Sequence, residues 1–385
     1  MSNLRVAICF GTYPPERNGG SDFVERLGHA LVERGLDVLV LTSAGAPPIE
    51  QVAPGLVVRR LVADWSARSS LSEANAVLAK SRTQVVHVLF PDSVLREAYR
   101  LPAGLGFGRI PLVTTFWNLG LGRRSPLSVR VEALALLARS KVVTSHDPGY
   151  LEILRRGLGW AKPVRLLPVG NNLDGAADAT PPAQLRAQLG LVESAEWLAY
   201  FGQLDPTRGV EDLFQAVADI RRRRDVRLLM IGSAGRPERY ADAASGSYLR
   251  TLTALPASLG IEAAVVWTDY LPDADVVRHL RAAEVCVLPY RKNSLGRSAL
   301  AAALEYGVPT VLAGAPELLA PLVPGTHVLD VPPARPDRLA AAIEGLLDDP
   351  DRRRRLAEGA IRAAPLFSWE TIAERAESVY HLALS

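Results

Sequence analysis

A short polar segment at residues 294–298 has the side-chain types and the location of a phosphate-binding loop. It follows an apolar strand that ends in a proline, and it leads into an Ala/Leu-rich helix predicted over 298–306. The N-terminus of a helix stabilises an anion, because its first N–H groups lack partners and the helix dipole is positive there. An ordinary strand–loop–helix connection is the alternative, but the grouping of two hydroxyls and a guanidinium favours a ligand. The candidate residues are Ser294, Leu295, Gly296, Arg297 and Ser298.

A second candidate site lies after the predicted strand "EWLAYFG", which ends at Gly202. Arg208 precedes Gly209, and a helix is predicted over 209–222. An arginine in a loop between a strand and a helix can pair with both oxygens of a phosphate group. The alternative is an arginine that only caps a loop on the surface.

A third candidate site lies between the predicted strand "LRVAICF" and a helix over 20–34. Gly19 and Gly20 precede this helix, and glycine lets the backbone approach a ligand closely. The spacing is not that of a GxGxxG motif, so the sequence does not support a nicotinamide dinucleotide site. A tight turn without a ligand is the alternative.

Short apolar strands alternate with helical patterns along almost the whole chain. This alternation predicts an α/β protein with parallel sheets that are covered on both faces. A segment rich in Gly, Asn, Asp and Pro at 170–185 reads as a linker, after which the alternation starts again. We therefore predict two doubly wound Rossmann-like domains that face a cleft, and ligands should bind beyond the carboxyl ends of their strands. Predicted helices lie at 71–80, 92–100, 127–139, 148–156, 239–258, 273–282, 316–321, 335–347 and 351–363.

The composition excludes several classes of protein. The net charge of +3 among 385 residues gives no indication of a nucleic-acid partner. Cys9 and Cys286 each lie in an apolar strand, so neither a disulfide framework nor a metal site is indicated. The N-terminus has no signal-peptide pattern, and no apolar run reaches the roughly 18 residues that cross a bilayer. We expect a cytoplasmic protein, with peripheral contact to a membrane as an open possibility.

Several segments, in their order along the chain, resemble the GT-B glycosyltransferases of family 4. They include "FGTYPPERNGGSDFVERLGHALVERGLDVLVLT", "YFGQLDPTRGVEDLFQAV", "EYGVPTVLAGAPELLAP" and a tail with Phe367–Ser368–Trp369. The resemblance implies an N-terminal acceptor domain at 1–175 and a nucleotide-sugar donor domain at 190–365. It also implies that the helix at 366–385 returns to the N-terminal domain.

The resemblance also implies how the three candidate sites act together. Arg208 would stabilise the leaving diphosphate, and residues 294–298 would hold the same phosphates. Gly19 and Gly20 would approach the donor from the N-terminal domain, while Glu317 matches a family position at the wall of the cleft. Such enzymes use a nucleotide-diphosphate sugar as substrate, need no cofactor or metal, and retain the anomeric configuration.

The sequence departs from the family pattern at three places. Asn293 stands near the first of two usual glutamates, and Ala301 or Ala302 stands near the second. Trp117 replaces a histidine that contacts the donor sugar, and Gln203 replaces an arginine that accompanies the Arg208 position. An active transferase with Arg208, Asn293 and Trp117 at its centre is the main hypothesis. A protein that binds a nucleotide sugar or a partner without turnover is one alternative, and a nucleotide-sugar epimerase is another.

The acceptor is less well indicated than the donor. A small molecule, a glycan and a lipid-linked sugar all remain open, and so does the oligomeric state. Arg123 and Arg124 precede an amphipathic helix and could meet an anionic acceptor or lipid headgroups. His87 and His146 are predicted at strand ends near the cleft, although a hydrogen-bonded structural histidine is the simpler interpretation of each. Asp147 is predicted to cap a helix.

Overall fold

The computed structural model describes residues 3–16, 18–90, 101–117, 119, 121, 126–157, 161–175, 180–232, 243–291, 296–314 and 319–385. The chain forms two compact units. The first contains residues 1–172 and 368–385, and the second contains residues 173–367. Within the described ranges, no helix combines the length and the apolar character that crossing a membrane requires.

The first unit is built on an eight-stranded sheet with the order β3-β4-β2-β1-β5-β6-β7-β8. All neighbouring pairs are parallel except β3 and β4, which are antiparallel. The strands are β1 Arg5–Cys9, β2 Asp37–Ser43, β3 Ile49–Ala53, β4 Leu56–Val62, β5 Val85–Phe90, β6 Leu112–Phe116, β7 Val142–Ser145 and β8 Val164–Leu166. Its helices before the linker are α1 Gly19–Glu33, α2 Arg68–Lys80, α3 Leu101–Gly104, α4 Leu127–Arg139 and α5 Pro148–Glu152, and a π-helical turn at Ile153–Gly157 follows α5.

The second unit contains a six-stranded parallel sheet with the order β11-β10-β9-β12-β13-β14. Its strands are β9 Glu196–Phe201, β10 Val226–Ile231, β11 Val265–Trp267, β12 Val285–Leu288, β13 Thr310–Ala313 and β14 Leu329–Val331. Its helices are α6 Pro182–Gln188, α7 Val210–Ile220, α8 Ala243–Ser258, α9 Asp273–Ala282, α10 Ser298–Glu305, α11 Pro336–Leu347 and α12 Pro350–Ala363. Helices α7, α8 and α11 cover one face of the sheet, while α9 and α10 cover the other.

The helix after the second unit, α13 (Trp369–Leu384), belongs to the first unit. Ser368 caps it by accepting a hydrogen bond from the Thr371 amide at 3.2 Å. Its apolar face, including Ile372 and Tyr380, is buried in the same core as α1. The Trp369 indole N–H donates to the Asn171 carbonyl at 2.6 Å, which fixes the start of the helix where the chain leaves the unit.

Helical periodicity predicted the regular helices closely. The predicted ranges 127–139 and 273–282 coincide with α4 and α9. The predicted helix at 92–100 lies outside the described residues, as does the first half of the one at 316–321, whose described residues 319–321 form a bend and a turn. The antiparallel strand β3 was not predicted, because it is an edge strand with no regular alternation of buried residues.

Candidate functional site

The candidate phosphate site of the second unit lies at the topological switch point of its sheet, where the order of successive strands reverses. Strand β9 has β10 on one side and β12 on the other, and the helices that follow β9 and β12 cover opposite faces. Ligands of open parallel sheets bind at such a point, beyond the carboxyl ends of the strands. The loops after Phe201 and after Leu288 both start there.

Asp205 organises the loop after β9. Its carboxylate accepts hydrogen bonds from the Thr207 amide at 2.8 Å and from Nε of Arg208 at 2.8 Å. Burial raises the pKa of Asp205, but the charge of Arg208 and the bonds from Thr207 outweigh it and lower the pKa. The carboxylate therefore stays ionised and fixes the arginine. The carbonyl oxygen of the Gln203 side chain accepts a longer bond from Arg208 at 3.4 Å.

Gly209 brings this loop against the end of β12. It has φ +69° and precedes α7, and a Cβ at this position would lie 2.1 Å from the Pro289 carbonyl oxygen. A side chain is therefore excluded both by the left-handed backbone and by the contact. The amide of Arg291 donates to the Thr207 carbonyl at 2.9 Å, which joins the two loops further.

Two guanidinium groups meet on the ring of Tyr290. The Cζ atoms of Arg208 and Arg297 each lie 5.7 Å from its centroid. Arg208 is only 7% exposed, and Tyr290 is fully buried. Burial lowers the pKa of Arg297, and the charge of Arg208 lowers it further. The charges of Arg208 and Arg297 therefore repel each other in a buried setting, so an anion bound to both would be stabilised.

Arg291 is a third cation nearby, but it has carboxylate partners of its own. It forms a bidentate pair with Asp212 at 2.8 and 2.9 Å and lies 3.6 Å from Glu211. These hydrogen bonds raise its pKa. Two carboxylates therefore offset the charge of Arg291, whereas Arg208, within the described parts of the chain, is paired with Asp205 alone.

The start of α10 lies beside the arginine pair. Arg297 precedes the helix, Ser298 begins it, and no side-chain hydrogen bond caps it among the residues the structure describes. The Nη2 atom of Arg297 donates to the Thr207 hydroxyl at 3.4 Å, which links the helix start to the loop after β9. Gly296, which directly precedes Arg297, is buried. Asn293, Ser294, Leu295 and Glu317, and likewise Arg123 and Arg124 of the first unit, lie outside the described residues.

The two glycines at the start of α1 differ in their surroundings. A Cβ on Gly20 would lie 2.1 Å from the Phe10 ring, whereas nothing lies within 4 Å of a Cβ on Gly19. The Gly20 amide donates to the Asn18 side chain at 2.9 Å. The Gly20 amide is therefore used in the cap of α1, and packing against Phe10 accounts for the lack of a side chain at this position. A role of either glycine in donor binding stays a prediction.

Trp117 and His146 lie together at the carboxyl ends of β6 and β7. Their ring centroids are 4.1 Å apart, and Phe23 packs against both in edge-on contacts. Trp117 Nε1 and His146 Nε2 are buried without a hydrogen-bond partner among the described residues. His146 Nδ1 bonds to the Leu167 carbonyl, which assigns the proton to Nδ1. Burial lowers the pKa of His146 to about 4, so its ring is neutral.

His87 is a structural residue by its contacts. It lies in the middle of β5, so its predicted place at a strand end is wrong. Its Nδ1 bonds to the Tyr380 hydroxyl at 2.9 Å, and its Nε2 bonds to the Thr115 hydroxyl at 2.6 Å. Burial, with a contribution from His146, lowers its pKa to about 3. Asp147 caps α5 by accepting from the Gly149 amide at 2.8 Å, as predicted.

The outer face of α4 carries an apolar stripe. Leu127, Val131 and Leu134 follow one another at helical spacing and are 74%, 57% and 54% exposed. The one carboxylate of α4, Glu132, is buried and accepts a bond from the Ala103 amide at 2.9 Å. The helix also carries Arg130 and Arg139, so α4 combines exposed aliphatic side chains with positive charge.

Sequence patterns missed two residues that shape the phosphate site. Tyr290 gave no signal, because its importance depends on the neighbouring positions of β9 and β12. Asp205 could have been found, since an Asp two residues before a Thr is typical of a turn in which the carboxylate accepts the later amide. Within the described ranges, no group of three or more His, Cys, Asp or Glu side chains could hold a metal ion.

Comparisons with known families match each half of the chain separately. The family described as glycosyl transferases group 1 matches residues 183–363, and the family described as glycosyltransferase family 4 matches residues 17–174. The chain is 28% identical to D-inositol 3-phosphate glycosyltransferase of Corynebacterium diphtheriae, over 99% of this chain and 95% of that protein. It is 29% identical to the protein of the same name from Acidothermus cellulolyticus, over 99% and 91%.

Solved structures share the same arrangement of elements. Sucrose-phosphate synthase from Thermosynechococcus elongatus has a TM-score of 0.80 and 25% identity, with 98% of each chain covered. HepE from Anabaena, solved in complex with UDP and glucose, has a TM-score of 0.72 and 16% identity, over 98% of this chain and 99% of that one. The second likeness concerns the fold alone.

Proposed function

The chain belongs to the GT-B glycosyltransferases of family 4, and from this we propose that its arginine pair binds the diphosphate of a nucleotide-sugar donor. The observation that carries the proposal is the placement of Arg208 and Arg297 on one tyrosine ring, beside the start of α10. A glycosyltransferase of this family moves a sugar from a nucleotide-diphosphate sugar to an acceptor. The diphosphate leaves with added negative charge, which is where fixed positive groups have the largest effect.

The proposed reaction breaks the bond between the anomeric carbon and the diphosphate oxygen. A bond forms between that carbon and an acceptor hydroxyl oxygen, and the hydroxyl proton passes to the leaving diphosphate. Arg208, Arg297 and the first amides of α10 stabilise the departing oxygens. Retention of the anomeric configuration is part of this proposal, as is the use of protein cations in place of a metal.

Trp117 and His146 are proposed to contact the transferred sugar or the acceptor. Each has a buried ring nitrogen without a partner in the described residues, and both rings lie at the carboxyl edge of the first sheet. A buried polar atom without a partner is costly, so a bound hydroxyl group there would be stabilised. Asn293 is proposed to take the position of the usual glutamate beside the sugar.

The acceptor is proposed to be presented at a membrane surface. The exposed apolar stripe of α4, a helix that also carries Arg130 and Arg139, suits the boundary between lipid headgroups and acyl chains. A protein held at the membrane by α4 would reach a lipid-linked acceptor most readily. We place the reaction in the cytoplasm, in keeping with the two free cysteines, Cys9 and Cys286.

The proposal is tested by incubating the protein with UDP- and GDP-sugars and mixed acceptors, and measuring nucleoside diphosphate release and product. We expect transfer that persists in EDTA, with the anomeric configuration retained in the product by NMR. Binding of a nucleotide sugar without release or transfer would instead support the non-catalytic alternative. Conversion of the sugar nucleotide to an isomer without an acceptor would support the epimerase.

A further inference from the structure

A pocket of about 380 Å³ opens in the first unit at the sheet edge away from Trp117 and His146. It lies where β1 and β2 begin and where α2 ends, so it is bounded by the amino ends of the strands. Its volume falls within the range of small-molecule sites, about 300 to 1,000 Å³. The candidate phosphate site lies in the other unit, so this pocket is separate from it.

The inner wall of the pocket is aliphatic. Leu39, Val57 and Val77 come from β2, β4 and α2, respectively, and all line the pocket. Leu39 is 9% exposed, while Val57 and Val77 are half-buried. Helix α2 thus leaves part of the apolar surface of the sheet uncovered. An apolar ligand group that covers this surface would remove it from water, which is favourable.

The rim of the pocket is positively charged. Arg5, Arg59 and Lys80 line it together with a single carboxylate, Asp37. Nε of Arg59 is buried and has no hydrogen-bond partner among the residues the structure describes. Burying a guanidinium N–H without an acceptor is costly, so an acceptor supplied by a ligand would be stabilised there.

We propose that this pocket binds a small amphipathic anion. Its aliphatic part would lie against Leu39, Val57 and Val77, and its carboxylate or phosphate group would bind Arg59 and Lys80. The three cations and one carboxylate at the rim match a negative group, and the wall behind them matches a hydrocarbon chain. The site is independent of the proposed transfer reaction, because its residues take no part in it.

The inference is tested by calorimetry on the full chain, in the absence of nucleotide sugars. Octanoate and octyl phosphate supply the two possible head groups, octanol supplies the chain alone, and inorganic phosphate supplies the head alone. We expect saturable binding of at least one of the two amphipathic anions, and at least about tenfold weaker binding of octanol and phosphate. The preferred head group then separates a carboxylate ligand from a phosphate ligand.

Variants locate the binding. Arg59→Met should weaken binding of the anion about tenfold or more, because it removes the buried donor. Lys80→Met, at the exposed end of α2, serves if Arg59→Met does not fold. Arg109→Met, an exposed arginine that does not line this pocket, should bind like the parent. Absence of saturable binding, equal binding of octanol, or unchanged affinity in both pocket variants would overturn the inference.

Discussion

Replacing Arg208 with alanine should separate the chemical role of this residue from its structural role. In the structure, the guanidinium of Arg208 is held from one side by Asp205 at 2.8 Å and lies over the ring of Tyr290. It is therefore fixed before a ligand arrives. A positive group that needs no reorganisation contributes most when charge develops on the leaving diphosphate.

The expected loss in kcat follows from what remains after the substitution. Removing one fixed donor from such a site costs about 2.7–4 kcal/mol in the transition state, or roughly 10²- to 10³-fold in kcat. Arg297 stays on the same ring, so we expect the lower end of that range. The carboxylate of Asp205 loses its partner, but its side chain is 38% exposed and water replaces much of the interaction. Together with the lost contact to Tyr290, this should lower the free energy of unfolding by only about 1–2 kcal/mol.

The assay measures nucleoside diphosphate release at saturating donor, together with urea unfolding of the same preparation. Arg222→Ala is the matched control, because its side chain is in the same unit and is 77% exposed. The control should keep the parent kcat. A folded Arg208→Ala protein that turns over at the parent rate would refute the phosphate role of Arg208.

Three further predictions concern stability and the α4 surface. Gly209→Ala should destabilise the protein by about 1 kcal/mol for the left-handed backbone and by more for the contact with a carbonyl. Gly190 has φ +66° and open space around it, so Gly190→Ala should show only the cost of the left-handed backbone. Equal urea midpoints for the Gly209→Ala and Gly190→Ala variants would contradict this prediction. The pKa of His87 is about 3, below the usual 6.5. The contribution of His87 to the free energy of unfolding is therefore complete above pH 6.5 and declines as the pH falls towards 3. The His87 share of the unfolding free energy should therefore drop by up to about 2 kcal/mol between pH 6.5 and pH 5, in addition to a loss from His146. The His87→Gln variant should lack only the His87 share, and equal drops in parent and variant would show that His87 is protonated in the fold. Leu134→Gln should reduce sedimentation with vesicles of phosphatidylcholine and phosphatidylglycerol, whereas Ile361→Gln, 56% exposed in the other unit, should not. Equal sedimentation of the two variants would argue against the α4 surface.

Local sequence patterns predicted the elements of this fold, but not the contacts between distant elements. Helices α4 and α9 follow from apolar spacing, because each has one buried face. The pairing of β12 with β9 is set by the whole sheet, so nothing near Tyr290 could indicate that two arginines would share its ring. Long-range packing of this kind decides the geometry of the site.

Two histidines of the first unit also show that local patterns do not indicate contacts between distant elements. His87 and His146 both fall in or after apolar strands, so local sequence patterns do not distinguish them. Burial on all sides leaves His87 with two hydroxyl partners, while His146 keeps one ring nitrogen without a partner in the described part of the chain. The difference arises from Tyr380 in α13 and from Phe23 in α1, which lie far away in sequence.

The return of α13 to the first unit has a consequence for how a ribosome delivers this fold. The buried residues of α13, Ile372 and Tyr380 among them, complete a core whose remaining members are synthesised before residues 173–367. At typical elongation rates of about 5–20 residues per second, the nascent first unit waits roughly 10 to 40 s for that helix. During this interval the face that α13 later covers stays exposed on the growing polypeptide, where a chaperone could hold it.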